Sequence, residues 1–317
     1  MRLVNYARRC AGVLLLLSLA GCAGTPQVAA LRQSIGTLPP KAELTSAPFF
    51  PQETHQCGPA ALATALNFAG VKTTPQSLTP QVYLPDRQGS LQVEMLATVR
   101  RQGLLAYPLA PSLRDLLLEV AAGRPVIVLQ NLGLPALPLW HYAVVVGYDL
   151  EREEILLRSG LERRQLLSFA TFEHTWARSD YWALLALAPT RLPASATEAR
   201  FAGAAVALER AGQIKPAQTA YQTALARWPQ NLPARMGLGN TAYALGDLKL
   251  AEAAFRQASD DHPNEWPPLN NLAQTLADQK RYGEALTAAQ LALALAGSNN
   301  PQVKETLKEI QSKATRK

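Results

Sequence analysis

Cys57 is the residue of this chain best placed to act as a nucleophile. It stands just before an apolar, alanine-rich stretch, in the sequence Gln52-Glu53-Thr54-His55-Gln56-Cys57-Gly58-Pro59-Ala60. A thiol at the N-terminus of a helix is favoured as the thiolate, because unpaired N–H groups and the helix dipole present positive charge there. The sequence therefore predicts a reactive thiol. The alternative is a buried cysteine that begins a core helix.

A thiol nucleophile needs a base close by, and His141 is the best candidate. It begins an apolar strand, in Trp140-His141-Tyr142-Ala143-Val144-Val145-Val146-Gly147-Tyr148-Asp149. A histidine at the mouth of such a strand is well placed to face a cleft. The other histidines fit structural roles better: His55 in an exposed loop, His174 on an amphipathic helix and His262 before a turn.

The first 22 residues have the pattern of a targeting segment. Arg8 and Arg9 precede an apolar run over residues 12–19, which is too short to span a bilayer unaided. The run ends in Leu19-Ala20-Gly21-Cys22, which resembles the lipobox of bacterial lipoproteins. The resemblance implies a lipid attached to Cys22 and a place in the bacterial cell envelope. The residue after the lipobox cysteine is Ala23, which resembles the signal that sorts lipoproteins to the outer membrane, so we expect the protein at its periplasmic face.

Cysteine content and charge narrow the possible functions. With Cys10 removed and Cys22 acylated, Cys57 is the single free thiol of the mature chain, and no disulfide can form within it. The net charge of +7 includes three arginines of the targeting segment, which leaves 28 basic against 24 acidic residues. No basic cluster with interleaved aromatic residues follows, so we expect no nucleic-acid partner. Metal-ligand spacing and a glycine-rich phosphate loop are also missing, so we expect neither metal nor cofactor.

The segment between the lipobox and residue 188 changes character once. Residues 23–48 are rich in Ala, Pro and Ser, and we expect a tether there because Pro39 and Pro40 stop regular structure. Residues 49–188 have helical patterns first, at 59–69, 90–102 and 112–122, and short β-branched runs afterwards. This order favours an α+β domain in which N-terminal helices cover an antiparallel sheet.

A fixed period of 34 residues marks the C-terminal third of the chain. Small residues recur at Ala217, Ala251 and Ala285, and Tyr221 and Phe255 follow each of the first two at the same offset. The pattern resembles the tetratricopeptide repeat, in which paired antiparallel helices stack into a solenoid. We expect three repeats over 197–299, a linker at 189–196 before them and a C-terminal capping helix at 300–317.

Residues 49–188 resemble the papain-like cysteine peptidases that process double-glycine leaders of bacteriocins. The similar motifs are Gln-x4-Cys-Gly-Pro at 52–59 and His-Tyr-x-Val-Val-x-Gly-Tyr-Asp at 141–149. The resemblance implies that Cys57 is the nucleophile, His141 the general base and Gln52 a donor to the oxyanion. The family has an Asp that orients the histidine, but this chain has Leu157-Arg158-Ser159-Gly160 there. Ser159 or Asp149 is then the orienting residue.

Three functions remain open on the sequence. The first is an exported, membrane-anchored cysteine peptidase that hydrolyses a peptide bond, with repeats that recruit a protein substrate or partner. The second is an inactive peptidase fold that serves as a scaffold for protein binding, because the orienting carboxylate is missing. The third keeps the thiol chemistry but transfers the acyl group to an acceptor other than water. The resemblance implies cleavage after small residues such as a Gly pair.

Overall fold

The N-terminal domain is built on one antiparallel sheet. The computed structural model describes residues 24–52 and 56–315. The strands of this sheet are β1 (Lys41–Glu43), β4 (Leu105–Pro108), β5 (Val126–Asn131), β6 (Trp140–Asp149), β7 (Glu154–Ser159), β8 (Glu162–Ser168) and β9 (Ala183–Leu187), and a separate hairpin is made by β2 (Tyr83–Leu84) and β3 (Gly89–Ser90). Their order is β4-β9-β5-β6-β7-β8, and β1 pairs with the end of β6 that β5 leaves free.

Helices cover both faces of the sheet. They are α1 (Pro26–Gln33), α2 (Cys57–Phe68), α3 (Pro75–Val82), α4 (Gln92–Arg101), α5 (Leu113–Ala121) and α6 (Phe169–Ala177). The alternation along β6 divides the core: Tyr142 and Val144 pack with α2, α3 and α4, whereas Ala143 and Val145 pack with α5 and α6. Every residue of α2 from 58 to 66 is buried. This arrangement confirms the predicted α+β class.

The segment expected to be a tether belongs to the domain. Helix α1 buries Val28 and Leu31, and the backbone N–H groups of Gln27 and Val28 donate to the two carboxylate oxygens of Glu173 at 2.8 and 2.7 Å. This carboxylate satisfies donors that the first turn of a helix leaves unpaired. Strand β1 then continues the sheet beside β6. The tether prediction is wrong for these residues, because their partners come from distant parts of the chain.

The C-terminal third consists of paired helices, as the 34-residue period predicted. They are α7 (Glu198–Arg210), α8 (Ile214–Arg227), α9 (Leu232–Ala244), α10 (Leu248–Asp261), α11 (Trp266–Asp278), α12 (Tyr282–Ala296) and α13 (Pro301–Thr315). Small residues let the helices approach: a Cβ at Gly237 would meet the Tyr221 ring, and one at Gly239 the Phe255 ring. Helix α13 buries Ile310 against the last pair. No helix in the described ranges is both long and apolar enough to cross a membrane.

The segment at 189–196 joins the two parts through a buried carboxylate. Glu119 accepts hydrogen bonds from the backbone N–H groups of Ala194 and Ser195 and from the Ser195 hydroxyl, at 2.6–3.1 Å. Arg124 neutralises the same carboxylate at 2.9 Å. Residues of α7 share the hydrophobic core with β4 and α5. The repeats therefore pack directly on the sheet domain.

Candidate active site

Cys57 is the first residue of α2, and Gln56 occupies the N-cap position without a capping hydrogen bond from its side chain. The carbonyl of Gln56 accepts from the Ala60 N–H at 3.2 Å, which is the first bond of the helix. Pro59 fits here because a helix leaves the N–H groups of its first turn unpaired in any case. The helix begins at the cysteine, two residues earlier than Pro59, and the thiol is half-buried.

Burial has the largest effect on the pKa of this thiol. Desolvation raises the pKa of Cys57, and it outweighs hydrogen bonding from the backbone of Tyr142, of Gly58 and of Cys57 itself, which lowers it. In the resting protein, burial therefore opposes the thiolate that the helix terminus favours. The backbone of Tyr142, which follows His141 on β6, makes a hydrogen bond to the thiol.

His141 lies at the start of β6, where its backbone is paired with Gln130 of β5. Its Nε2 atom lies 2.8 Å from the Ser159 Oγ. Desolvation lowers the pKa of His141, so the neutral imidazole is favoured at neutral pH. When Nε2–H donates to Ser159, the proton-free nitrogen of the neutral ring is Nδ1. The histidine then has the form of a general base.

The structure separates the two candidates for the orienting residue. Ser159 ends β7 beside a register shift between Leu157 and Ser159, is buried, and holds the imidazole through its hydroxyl. Asp149 lies eight residues from His141, at the other end of β6. Its carboxylate accepts from the backbone N–H groups of Glu151 and Arg152 at 3.0 Å, as a turn residue does. His141 is therefore paired with a hydroxyl, and Asp149 takes no part in the site.

Gln52 lies at the same end of the sheet, bonded to residues next to His141 and Ser159. Its backbone N–H donates to the Gly160 carbonyl at 3.0 Å, and its side-chain Nε2 donates to the Tyr142 carbonyl at 3.5 Å. The Oε1 atom is buried and has no partner among the described residues. The carboxamide is thus loosely held, next to the residue that contacts the thiol, and it can turn toward a bound substrate.

Tyr142 and Ser90 contribute to the site although the sequence did not single them out as site residues. The Tyr142 hydroxyl donates to the Ser90 carbonyl at 3.2 Å, and its ring meets Trp182 edge-on with centroids 5.7 Å apart. The Ser90 side chain packs on Gly58, where an added Cβ would lie 2.2 Å from Oγ. The helical pattern predicted at 90–102 begins at Ser90, but Ser90 ends β3, and α4 begins after Leu91. Only its neighbours in space reveal its role.

The remaining candidates lie elsewhere or outside the described residues. Cys22 and His55 fall outside the described ranges. His262 Nε2 donates to the Gln230 carbonyl at 2.8 Å, between two repeat units, and His174 lies on α6. Among the described residues, no group of three His, Cys, Asp or Glu side chains could hold a metal ion.

Two known families match this chain. Residues 44–183 match the Peptidase_C39 like family, and residues 203–265 and 237–301 match the tetratricopeptide repeat. The chain therefore carries a C39-like peptidase domain followed by tetratricopeptide repeats, which confirms the resemblance of its motifs. These matches indicate a cysteine peptidase fold and repeats suited to protein interaction. Comparison with curated proteins gives no match.

Solved structures of both kinds are similar to this chain. A C39-like peptidase from Bacillus anthracis is 18% identical, and the alignment covers 46% of this chain and 97% of that chain with a TM-score of 0.40. The first TPR domain of the human RPAP3 protein is 14% identical, with 38% of this chain and 93% of that chain covered and a TM-score of 0.36.

Proposed function

We propose that this protein is a cysteine peptidase in which Cys57 is the nucleophile and His141 the general base. The observation that carries the proposal is the hydrogen bond of 2.8 Å between His141 Nε2 and Ser159 Oγ, at the end of β6 where the Tyr142 backbone contacts the thiol. An imidazole fixed through one nitrogen presents the other to a nucleophile, which is the arrangement that thiol catalysis requires.

In this mechanism the resting pair is uncharged. Burial raises the pKa of Cys57 and lowers that of His141, so both groups hold their neutral forms at neutral pH. When the thiol sulfur attacks the substrate carbonyl, its proton passes to His141 Nδ1. The imidazolium then protonates the leaving amine, and water, deprotonated by the same ring, hydrolyses the thioester.

Gln52 is the proposed donor to the oxyanion of the tetrahedral intermediate. Its carboxamide lies beside Tyr142 on a long hydrogen bond of 3.5 Å, so little is lost when Nε2 turns to a stronger acceptor. The backbone N–H of Cys57 is the second donor. Loss of one such donor lowers kcat by about 100- to 1,000-fold in comparable sites. Replacement of Gln52 by Ala is expected to lower kcat within this range while thermal unfolding changes little.

The repeats are proposed to recruit a protein substrate or partner, and a lipid on Cys22 is proposed to hold the protein at the periplasmic face of the outer membrane. The support for recruitment is the stack of paired helices from α7 to α12, which presents a surface beside the sheet domain. The support for the anchor is the lipobox sequence before residue 23.

The decisive experiment measures alkylation of Cys57 by iodoacetamide against pH in the wild type and in His141→Ala. His174→Ala is the matched control, because His174 lies on α6 and outside the site. We expect slow labelling at neutral pH that the His141 change slows further and the control does not. Equal labelling in all three proteins would refute the Cys–His pair. Loss of cleavage in Cys57→Ala, with a peptide carrying a Gly pair as substrate, tests hydrolysis itself.

A second candidate function is a scaffold whose peptidase fold is inactive. The raised pKa of Cys57 and the hydroxyl at Ser159 in place of a carboxylate favour it. In that case the thiol labels like an unactivated cysteine, the His141 change has no effect, and binding through the repeats survives Cys57→Ala.

A further inference from the structure

The hairpin that joins β5 to β6 is the most apolar exposed segment of the described structure. Residues 131–140 contain no charged side chain. Five large apolar side chains of this hairpin are between 46% and 76% exposed: Leu132, Leu134, Leu137, Leu139 and Trp140. Monomeric soluble proteins rarely leave such a contiguous patch in water without a partner for it.

The backbone of this hairpin makes its own hydrogen bonds. Leu132 donates to the Leu139 carbonyl at 2.9 Å, and Leu134 and Leu137 exchange bonds of 3.1–3.2 Å. The Asn131 side-chain oxygen accepts from the N–H groups of Gly133 and Leu139 at 2.9 and 2.8 Å. A loop that enters a lipid phase needs such internal hydrogen bonds, because an unpaired backbone group in hydrocarbon costs several kcal/mol.

Polar and aromatic groups lie only at the base of the hairpin. Arg178, at the end of α6, donates to the carbonyls of Asn131 and Gly133 at 3.1 and 2.6 Å. Trp140 lies at the same level, one residue before the strand pairing of His141. A leucine-rich tip above a tryptophan and an arginine is the order of side chains that a membrane interface favours.

The start of α1 and the base of the hairpin both make hydrogen bonds to side chains of, or just after, helix α6. Glu173 of α6 binds the N–H groups of Gln27 and Val28, and Arg178 follows five residues later, which is about 7.5 Å along a helix. The chain between Cys22 and Gln27 spans at most about 18 Å when fully extended. A lipid on Cys22 would therefore enter a bilayer close to the hairpin.

We propose that the hairpin 131–140 inserts its leucine tip into the surface of a lipid bilayer. The peptidase site, which begins at His141, would then face substrates close to that surface. The proposal uses the lipid anchor only to choose between a bilayer and a protein as the occupant, and it holds whether or not Cys57 is catalytic.

Vesicle flotation of the mature chain, starting at residue 22 and carrying Cys22→Ser so that no lipid is attached, tests the proposal. The probe is a vesicle of phosphatidylethanolamine and phosphatidylglycerol. The double variant Leu134→Ser/Leu137→Ser is compared with Leu291→Ser/Leu295→Ser, which makes the same change at exposed leucines of α12. Each tip leucine is expected to contribute about tenfold to partitioning, so the first variant loses about 100-fold and the second stays at the wild-type level.

Tryptophan quenching by lipids brominated in their acyl chains provides the second measurement. The wild type should be quenched more than Trp140→Phe, because Trp140 lies at the base of the inserted tip. Failure of the wild type to float, or equal loss in both leucine pairs, would overturn the proposal. Binding of the hairpin to a protein without any vesicle binding would overturn it as well. Cys57 labelling in the same samples shows whether the proposed peptidase chemistry fails separately.

Discussion

Replacement of Ser159 by Asp should convert a weakly activated Cys–His pair into a strongly activated one. The Ser159 hydroxyl lies 2.8 Å from His141 Nε2, and the residue is only 6% exposed, so a carboxylate placed there would face the ring with little water between them. An opposite charge at such a distance favours the charged form of its neighbour by roughly 1–2 pKa units. The pKa of His141, which burial now lowers, should therefore rise.

The sign and size of the effect follow from proton transfer within the pair. The ratio of thiolate–imidazolium to neutral pair increases tenfold for each unit by which the pKa of His141 rises relative to that of Cys57. Each unit corresponds to about 1.4 kcal/mol. Alkylation of Cys57 at pH 6 to 7 is thus expected to accelerate by roughly 10- to 100-fold in Ser159→Asp.

Ser159→Asn is the matched control, because it has the shape of Asp without the charge. We expect it to label no faster than the wild type, and Ser159→Ala to label more slowly, since the ring then loses its hydrogen bond. Alkylation against pH, with the His141 pKa followed by NMR, gives both quantities. Equal acceleration by Asp and Asn, or no acceleration by either, would show that Ser159 does not control this histidine.

Two further predictions concern the stability of the fold. Gly58→Ala places a Cβ 2.2 Å from the Ser90 Oγ and 2.6 Å from its Cβ, so we expect a loss of roughly 1–3 kcal/mol in urea unfolding that Ser90→Gly relieves. Gly203→Ala, in a helix with open space around it, should be neutral or stabilising, and a loss there equal to that at Gly58 would contradict the steric argument. Glu119→Ala removes the partner of Arg124 and the acceptor of the part-buried Ser195 N–H, so we expect a loss of roughly 3–5 kcal/mol and protease cleavage within 189–196; an uncleaved variant with wild-type stability would contradict it.

The sequence predicted best where a residue's own neighbours determine its role. Cys57 with Gly58 and Pro59 marks the start of a helix, and the apolar run after His141 marks a buried strand. The 34-residue period fixes the repeats, because each pair of helices must bury the same face against the next. These signals are local or periodic, and no knowledge of tertiary contacts is needed to see them.

The predictions failed where the deciding partner is distant in sequence. Helix α1 has only two buried side chains, and its first turn depends on Glu173, 145 residues away from Val28. The pKa of Cys57 depends mainly on how deeply the folded domain buries the thiol, and the local sequence does not predict that burial.

Arg158, the residue before Ser159, has a structural role of its own. Arg158 is buried, and its guanidinium donates to the carbonyls of Ala47 and Arg163. It thereby fixes the segment that carries Gln52 five residues after Ala47. Arg158 contacts Ala47 and Arg163, whereas Ser159 contacts His141, so these two neighbouring side chains have different partners. The two functions are separate, and the residue that orients the histidine can change without loosening the support of the oxyanion donor.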